Sequence, residues 1–218
     1  MWRKDKLAAM DFYPVTDPHL TRRGVVSDVE KAVEAGAAVI QYREKEAPTR
    51  RMLEEALLLR DICRGRALFL VNDRVDIALG VDADGVHLGL DDMPYEAARR
   101  LLGPDRIIGL TVHDEREAVD AERMGADYVG LSPIFPTGTK ADAGTACGVR
   151  MIATVRACIR IPIVVIGGVT MENVAETILA GADAAAAISA VVASDDMGRE
   201  VRAFRDIIRR AKAEREGR

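Results

Sequence analysis

The sequence predicts an α/β fold, a single-domain (β/α)₈ barrel of the TIM type, on three observations. Eight apolar runs of strand length alternate with segments of helical periodicity along the 218 residues. The runs are apolar at nearly every position, which is typical of a parallel sheet covered by helices. Three stretches also repeat one joint, in which an Ala- and Glu-rich helical segment ends at a glycine and an apolar run follows. A doubly wound open sheet is the alternative fold.

The first four strands are predicted from "DFYPVT", the joint "VEKAVEAGAAVIQYRE", "ALFLVN" and "DGVHLG". Gly36 is placed to end the helix of that joint in a left-handed conformation. The strand centres are Tyr13, Ile40, Phe69 and Val86.

The last four strands are predicted from "RIIGLTV", the joint "REAVDAERMGADYVGLS", "IPIVVIGG" and the joint "VAETILAGADAAAAISA". Gly125 and Gly181 end the helices of these two joints. The strand centres are Ile108, Val129, Val164 and Ala186.

One domain is predicted over residues 1–218, because no linker or shift in composition divides the chain. Residues 1–10 are an N-terminal extension, and residues 198–216 form the helix that closes the barrel. One apolar face of this helix is shared by Val201, Phe204, Ile207 and Ile208. Its Arg and Lys residues suit the carboxyl end of a helix.

Composition excludes several functional classes. With 49% hydrophobic residues, 30% charged residues and a net charge of −4, the chain carries no overall basic field for nucleic acid or for an acidic membrane. No run approaches the ~20 apolar residues of a membrane span, and the first ten residues lack the apolar stretch of a signal peptide. We therefore expect a cytoplasmic protein in which any anion site is local.

The three cysteines, without a CxxC pair, fit reduced thiols better than disulfides or a zinc site. Cys63 and Cys158 lie among apolar residues of helical segments and are expected in the core. Cys147 follows a polar loop, but nothing in the sequence supplies a base to activate its thiol.

Polar residues follow the predicted strands. The segments after strands two to eight contain "QYREK", "NDR", "HLGLDD", "TVHD", "PTGTK", "GGVT" and "ISA". In a (β/α)₈ barrel the carboxyl ends of the strands meet on one face, where the active site forms. We expect these polar groups to converge there.

Two cations and an amide after strand two indicate a diphosphate site. Gln41, Arg43 and Lys45 are spaced by two, so they share one side of an extended chain. Lys140, in the loop after strand six, converges on the same rim. Such a set suits a diphosphate ester, and a strand end with scattered surface charges is the alternative.

A second anion site is predicted from the loop "GLSPIFPTGTK" and the ends of strands seven and eight. The hydroxyls of Thr137 and Thr139 suit a phosphate. Gly168, Ile188 and Ser189 lie where barrels bind phosphate through backbone amides and a helix N-terminus. Plain solvated turns are the alternative; otherwise two phosphorylated ligands face each other.

Asp73 and Asp92 come from adjacent strand ends. Two carboxylates beside a diphosphate are what Mg²⁺ requires, with water and phosphate oxygens completing its shell. A helix-capping role is the alternative for each. His87 and His113 are the candidate acid/base groups, although a histidine at a strand end is also a common hydrogen-bonded scaffold residue.

The motifs "QYREK", "VND", "DGVHLG" with Asp92, "HDEREAVDAERMGADYVGLSPIFPTGTK", "IPIVVIGGVT" and "AISA" resemble, in the same order, those of the thiamine phosphate synthase family. The resemblance runs from about residue 11 to about residue 195. It implies a transferase of thiamine biosynthesis that condenses 4-amino-2-methyl-5-hydroxymethylpyrimidine diphosphate with 4-methyl-5-(2-phosphoethyl)thiazole. The products are thiamine phosphate and pyrophosphate, and Mg²⁺ assists the displacement.

The resemblance also implies roles for residues at matching positions. The pyrimidine diphosphate is held by Gln41, Arg43, Lys45 and Asn72. The catalytic groups, which contact the departing pyrophosphate, are Lys140, Arg43, Lys45 and Thr111. Magnesium is bound by Asp73 and Asp92. The thiazole phosphate lies against Thr137, Thr139, Gly168, Ile188 and Ser189. The expected partners are therefore small phosphorylated molecules.

The sequence departs from the family's pattern in four places. Thr111 stands where serine is usual, and Leu90 where glutamine is frequent. Arg74 follows Asp73 where a second acid often stands, and Tyr42 replaces phenylalanine or leucine. These departures bear on substrate fit and metal affinity.

Two other functions stay open at this point. One is the thiazole tautomerase activity of a sister family, in which His113 would be the proton shuttle. The other is a non-catalytic phosphate-binding barrel. The full set of cations and carboxylates favours the synthase. Assembly into a homo-oligomer also stays open, because no single patch on the outer helices marks an interface.

Overall fold

The structure, a computed structural model, describes residues 2–138 and 144–217, with the side chains of residues 2–4 left out. The strands are β1 (Phe12–Pro14), β2 (Val39–Tyr42), β3 (Leu68–Asn72), β4 (Gly85–Leu88), β5 (Ile107–Val112), β6 (Tyr128–Leu131), β7 (Ile163–Val165) and β8 (Ala184–Ala187). The helices are α1 (Trp2–Ala8), α2 (Val25–Glu34), α3 (Thr49–Cys63), α4 (Val75–Gly80), α5 (Tyr95–Leu102), α6 (Glu115–Met124), α7 (Val149–Cys158), α8 (Val174–Leu179), α9 (Ser189–Val192) and α10 (Met197–Glu216).

All eight strands belong to one parallel sheet in the order β1-β8-β7-β6-β5-β4-β3-β2. A bridge between Val15 and Gln41 joins its two edges, and the Thr16 N–H donates to the Gln41 carbonyl at 2.9 Å. The sheet therefore closes into a barrel, and the open-sheet alternative is wrong. Each predicted strand centre lies inside a strand.

The helix-to-strand joints have the expected backbone. The Asp114 carboxylate caps α6 by accepting from the Glu117 N–H at 2.9 Å, and Gly125 ends the helix at φ 96°. Gly36 and Gly181 also have positive φ, 83° and 117°. Glycine tolerates this conformation at little steric cost, so each helix can turn sharply into the next strand.

The closing helix α10 packs against β1, where the Phe12 and Phe204 rings stack 4.3 Å apart. Cys63 is buried as predicted, but Cys158 is exposed, so its placement in the core was wrong. The buried positions of α7 are Ile152 and Val155, and Cys158 is the last residue of that helix. No helix in the described part of the chain is both long enough and apolar enough to span a bilayer.

Three aspartates at the amino end of the barrel each bind the neighbouring strand twice. Asp84, which precedes β4, donates its N–H to the Phe69 carbonyl at 2.9 Å and accepts the Phe69 N–H on its carboxylate at 3.0 Å. The same pair of bonds joins Asp127 to Ile108 and Asp183 to Ile163. We call these three arrangements the aspartate clamps. Each ties the entry of an even-numbered strand to the strand before it.

Candidate active site

Several cavities open at the carboxyl ends of the strands, and two of them are lined by most of the predicted site residues. The first, which we call the charged cavity, has a volume of about 160 Å³ and is lined by Arg43, Lys45, Asn72, Asp73, Asp92 and Thr111, among others. The second, the glycine cavity, has a volume of about 240 Å³ and is lined by Thr137, Gly168, Ile188 and Ser189, among others. Ser132, at the end of β6, lines both. The predicted diphosphate and phosphate sites are therefore adjacent.

The other predicted site residues are Gln41, Thr139 and Lys140. Thr139 and Lys140 lie outside the described residues, so their predicted roles stay predictions. Gln41 is buried near the end of β2, and its side-chain amide donates to the Tyr13 hydroxyl at 3.4 Å. It therefore sits deeper in the barrel than the two cations that follow it on the chain.

Arg43 is fixed by a partner that sequence reasoning missed. Its guanidinium donates to the Asp17 carboxylate at 2.8 Å, and the two side chains are only 12% and 8% exposed. The Arg43 N–H also donates to the Thr16 hydroxyl at 2.9 Å. The Arg43 Nε is buried without a hydrogen-bond partner among the described residues. This cation is therefore held in place while part of its donor capacity stays unused.

Lys45 neutralises part of the negative charge of the carboxylate pair Asp73 and Asp92. Asp73 follows β3 in a left-handed backbone conformation, φ 61°, and its side chain forms an ion pair with Lys45. The Asp92 carboxylate accepts from the Gly89 N–H at 2.6 Å. Burial raises the Asp92 pKa, and the hydrogen bond with Asp73 and the charge of Asp73 raise it further. The two acids therefore face each other and disfavour two negative charges.

Neither acid caps a helix, which removes the alternative reading of both. The N-cap positions of α4 and α5 are Arg74 and Pro94. The Arg74 guanidinium turns away from the charged cavity to pair with Asp76 at 2.6 Å. The departure at position 74 therefore adds no charge to the lining of this cavity.

A chain of buried polar side chains runs below the charged cavity. The Gln41 amide reaches the Tyr13 hydroxyl, which lies 3.4 Å from the Tyr128 hydroxyl. The Tyr128 hydroxyl lies 2.9 Å from His87 Nδ1, and His87 Nε2 lies 2.9 Å from the Thr111 hydroxyl. We call these five residues the polar chain. It links two predicted substrate-binding residues, Gln41 and Thr111, across the interior of the barrel.

Glycines in the neighbouring strands make room for the polar chain. A Cβ on Gly109 would lie 2.1 Å from the Tyr128 ring, and a Cβ on Gly130 would lie 2.8 Å from the His87 ring. Burial raises the pKa of Tyr13 to about 12 and the Tyr128 pKa well above its ordinary value. Both phenols therefore keep their hydrogens at neutral pH.

His113 lines the charged cavity at its rim. Its Nδ1 lies 2.9 Å from a carboxylate oxygen of Glu117, and its side chain is 42% exposed. The same Glu117 oxygen accepts the His113 N–H at 2.8 Å. The ring is therefore oriented by Glu117 of the helix that follows it, α6, with the charged cavity beside it.

The wall of the glycine cavity is built from two loops that pair through their backbones. The Ile134 N–H donates to the Ile166 carbonyl at 3.1 Å, and the Phe135 N–H donates to the Gly167 carbonyl at 3.0 Å. A Cβ on Gly168 would lie 2.7 Å from the Pro136 carbonyl oxygen. The loop can approach this closely only because position 168 has no side chain.

A closed barrel with two adjacent cavities at its carboxyl end, one of them lined by charged side chains, is the architecture of an enzyme that acts on small molecules. The family model for thiamine monophosphate synthase matches residues 12–191. The chain is 56% identical over 206 residues to the thiamine-phosphate synthase of Methanosarcina barkeri, which covers 94% of each chain. It is 50% identical over 198 residues to the thiamine-phosphate synthase of Chloroflexus aurantiacus, which covers 90% of this chain and 91% of that one.

Among solved structures, the thiamine phosphate pyrophosphorylase from Pyrococcus furiosus superimposes with a TM-score of 0.86 at 41% identity. The match covers 95% of this chain and 98% of that one. The chain belongs to the thiamine monophosphate synthase family, and the resemblance predicted from its motifs is confirmed.

Proposed function

We propose that this chain is a thiamine-phosphate synthase, a transferase that joins the pyrimidine diphosphate and the thiazole phosphate named above and releases pyrophosphate. The observation that carries the proposal is the meeting of the charged cavity and the glycine cavity at Ser132. A diphosphate ester in the first and a phosphate monoester in the second bring their reacting ends together there. Such positioning lowers the barrier of a two-substrate reaction.

The charged cavity is suited to stabilise the leaving group. As the bond between the pyrimidine methylene and the diphosphate breaks, its electron pair leaves with pyrophosphate, and the thiazole nitrogen bonds to the methylene carbon. Arg43 and Lys45 supply positive charge and hydrogen bonds to the departing oxygens. Lys45 is half-exposed, so it can exchange Asp73 for a phosphate oxygen. This displacement requires no protein nucleophile.

Asp73 and Asp92 fit a magnesium ion. Their mutual repulsion, which raises the Asp92 pKa, is what a bound cation relieves. No group of three or more His, Cys, Asp or Glu side chains placed to hold an ion occurs among the described residues, so diphosphate oxygens and water must complete the coordination. Bound there, the ion would neutralise charge that develops on the leaving pyrophosphate.

The glycine cavity is proposed to hold the thiazole phosphate. It offers the hydroxyls of Thr137 and Ser189 and the main chain around Gly168 and Ile188. Thr139 and Lys140 complete the proposed site from sequence alone. Cys63, Cys147 and Cys158 are free thiols, which suits a reducing compartment, and we place the reaction in the cytoplasm.

The direct test is pyrophosphate release by the protein with Mg²⁺ and both substrates. We expect release only when both substrates are present, and Lys45→Ala and Lys140→Ala should each lower kcat/KM by about a hundredfold or more. Arg74→Ala is the matched control, since it removes a neighbouring cation that points away from the charged cavity. It should retain nearly full activity.

Absence of pyrophosphate release from the folded protein would overturn the proposal. The same preparation would then be tested for isomerisation of a thiazole phosphate and for its loss in His113→Gln, which tests the tautomerase alternative. Binding of thiazole phosphate without either reaction would indicate a non-catalytic barrel.

A further inference from the structure

The polar chain has a direction that its donors and acceptors determine. The amide nitrogen of Gln41 can only donate, so the Tyr13 oxygen accepts from it. The Tyr13 hydrogen is then free to be donated to the Tyr128 oxygen, its other described partner. Tyr128 in turn donates to His87 Nδ1, which must be an unprotonated acceptor. The ring hydrogen therefore sits on His87 Nε2.

The opposite direction leaves a buried hydrogen without an acceptor. If His87 Nδ1 donated to Tyr128, Tyr128 would donate to Tyr13, whose oxygen would accept from both Tyr128 and Gln41. The Tyr13 hydrogen would then have no acceptor among its described hydrogen bonds. Tyr13 is 2% exposed, and an unsatisfied buried donor costs about 1–3 kcal/mol. The direction from Gln41 towards Thr111 avoids this cost.

The last hydrogen bond of the polar chain determines whether the Thr111 hydroxyl can donate to a ligand. His87 Nε2 donates to the Thr111 hydroxyl oxygen at 2.9 Å. That oxygen has accepted a hydrogen bond, so the hydroxyl hydrogen remains available for the charged cavity, which Thr111 lines. Phosphate oxygens are acceptors, so only a Thr111 that donates can bind them. With the ring hydrogen on Nδ1 instead, Thr111 would donate to His87 and present only lone pairs.

We propose that Tyr13, Tyr128 and His87 are positioning residues that hold the Thr111 hydroxyl as a hydrogen-bond donor to the departing pyrophosphate. The inference rests on the proposed function for its ligand, but the direction of the hydrogen bonds in the polar chain is a property of the protein alone. The same bonds orient Gln41, because its amide nitrogen is committed to Tyr13. One buried chain thus sets the donor pattern presented to the pyrimidine diphosphate at two points.

The tautomer of His87 can be measured without activity. The protein has three histidines. Labelling them with ¹⁵N in the wild type and in the variants His19→Gln and His113→Gln therefore assigns each ring in long-range ¹H–¹⁵N spectra. At pH 8 we expect the His87 ring to carry its hydrogen on Nε2. In Tyr128→Phe, which removes the donor to Nδ1, the Nδ1–H form should become detectable. A wild-type ring with its hydrogen on Nδ1, or on both nitrogens, overturns the proposed direction.

Steady-state kinetics test whether the polar chain affects catalysis through Thr111. We expect Tyr128→Phe to lower kcat about tenfold with little change in the KM for the thiazole phosphate, because a hydrogen bond to developing charge is lost in the transition state. Thr111→Val should lower kcat at least as much, and Thr111→Ser should retain it. The double variant Thr111→Val, Tyr128→Phe should be no slower than Thr111→Val alone.

The matched control is Tyr42→Phe. Tyr42 is also a buried tyrosine, but its hydroxyl donates to Glu55 on α3 at 2.9 Å. Its removal should leave kcat unchanged. Multiplying losses in the double variant would show that Tyr128 acts independently of Thr111 and would overturn the positioning role. A wild-type protein that releases no pyrophosphate would instead overturn the proposed function, and the tautomer measurement would still decide the direction of the chain.

Discussion

The two ends of the barrel use the same residue types for opposite purposes. At the amino end, Asp127 belongs to an aspartate clamp and also receives the Arg99 guanidinium at 2.8 Å. Arg99 further donates to the Gly103 and Arg106 carbonyls at 3.0 and 2.6 Å. Asp127 and Arg99 thus each meet an opposite charge and backbone groups of complementary polarity. Such an arrangement stabilises the fold and leaves little to bind a ligand.

At the carboxyl end, by contrast, the charged groups are not fully paired with groups of opposite charge. Asp73 and Asp92 are like charges in contact, and burial raises the Asp92 pKa. Arg43 keeps a buried Nε without a described partner. A charge near a strand end is therefore informative only when it is known whether that end is the amino or the carboxyl end. We expect the incomplete pairing at the carboxyl end to mark the proposed chemistry, and the complete pairing of Asp127 and Arg99 at the amino end to mark stability.

The largest effect is expected from Asp92→Asn. The change removes a proposed magnesium ligand, so kcat/KM should fall by about a hundredfold or more. Because the folded-state pKa of Asp92 is raised, its contribution to stability is present below its ordinary pKa and is lost as pH rises through the raised value. At pH 7 without Mg²⁺ the Tm of Asp92→Asn should therefore equal or exceed that of the wild type.

Pyrophosphate release and thermal unfolding in a chelating buffer measure the two quantities. A fall in Tm together with activity would mean that Asp92 serves the fold, and the contrast between the two ends would fail at this residue.

Asp127→Ala should show the reverse pattern. It removes the acceptor of the Ile108 N–H and the partner of Arg99, so the free energy of unfolding should fall by about 2–3 kcal/mol. The kcat/KM of the folded fraction should stay unchanged. Urea unfolding measures the first quantity, with Asp105→Ala, an exposed aspartate at the same end, as the control. A variant as stable as Asp105→Ala contradicts the role assigned to the clamp.

Asp17→Asn tests the ion pair between Asp17 and Arg43, which lies at the carboxyl end of the barrel yet joins opposite charges. Replacing a charge-assisted bond to Arg43 by a neutral one should raise the KM for the pyrimidine diphosphate about tenfold, with a smaller change in kcat. Asp195→Asn is the control, because its pair with Arg22 is 2.8 Å long but well exposed. Steady-state kinetics in which both variants match the wild type would remove the positioning role of Asp17.

The smallest effect is expected from Cys147→Ser. Burial raises the Cys147 pKa, so the thiol is protonated at neutral pH and is a poor nucleophile. The variant should keep kcat/KM within about twofold. Rapid loss of activity on treatment with a thiol reagent, absent in Cys147→Ser, would show that this cysteine belongs to the site after all.

The barrel, and the convergence of charged residues at one end of it, could be predicted from the sequence because both follow from local patterns. Strand centres such as Ile40 and Val164 lie in short apolar runs, and Arg43, Lys45, Asp73 and their neighbours come directly after such runs. The carboxyl-end rule then brings them together without further information. Tertiary placement decided only which of them line the cavities.

The missed residues are those whose roles depend on contacts across the barrel. Tyr13 and Tyr128 meet although 115 positions separate them, and no local pattern distinguishes either from an ordinary core aromatic. A signal was present in Gly109 and Gly130, which leave room inside strands that otherwise favour bulky residues. Asp17 was missed because its partner lies 26 positions away.

The aspartate clamps group six of the strands into three pairs. Each joins an odd-numbered strand to the even-numbered strand that follows it, so β3–β4, β5–β6 and β7–β8 are three pairs closed at their entry. Asp11, which precedes β1, differs from the clamp aspartates, because its carboxylate accepts the N–H of the next residue, Phe12, and binds Arg205 and Arg209 of α10. The start of the first strand is thereby fixed to the last helix of the chain.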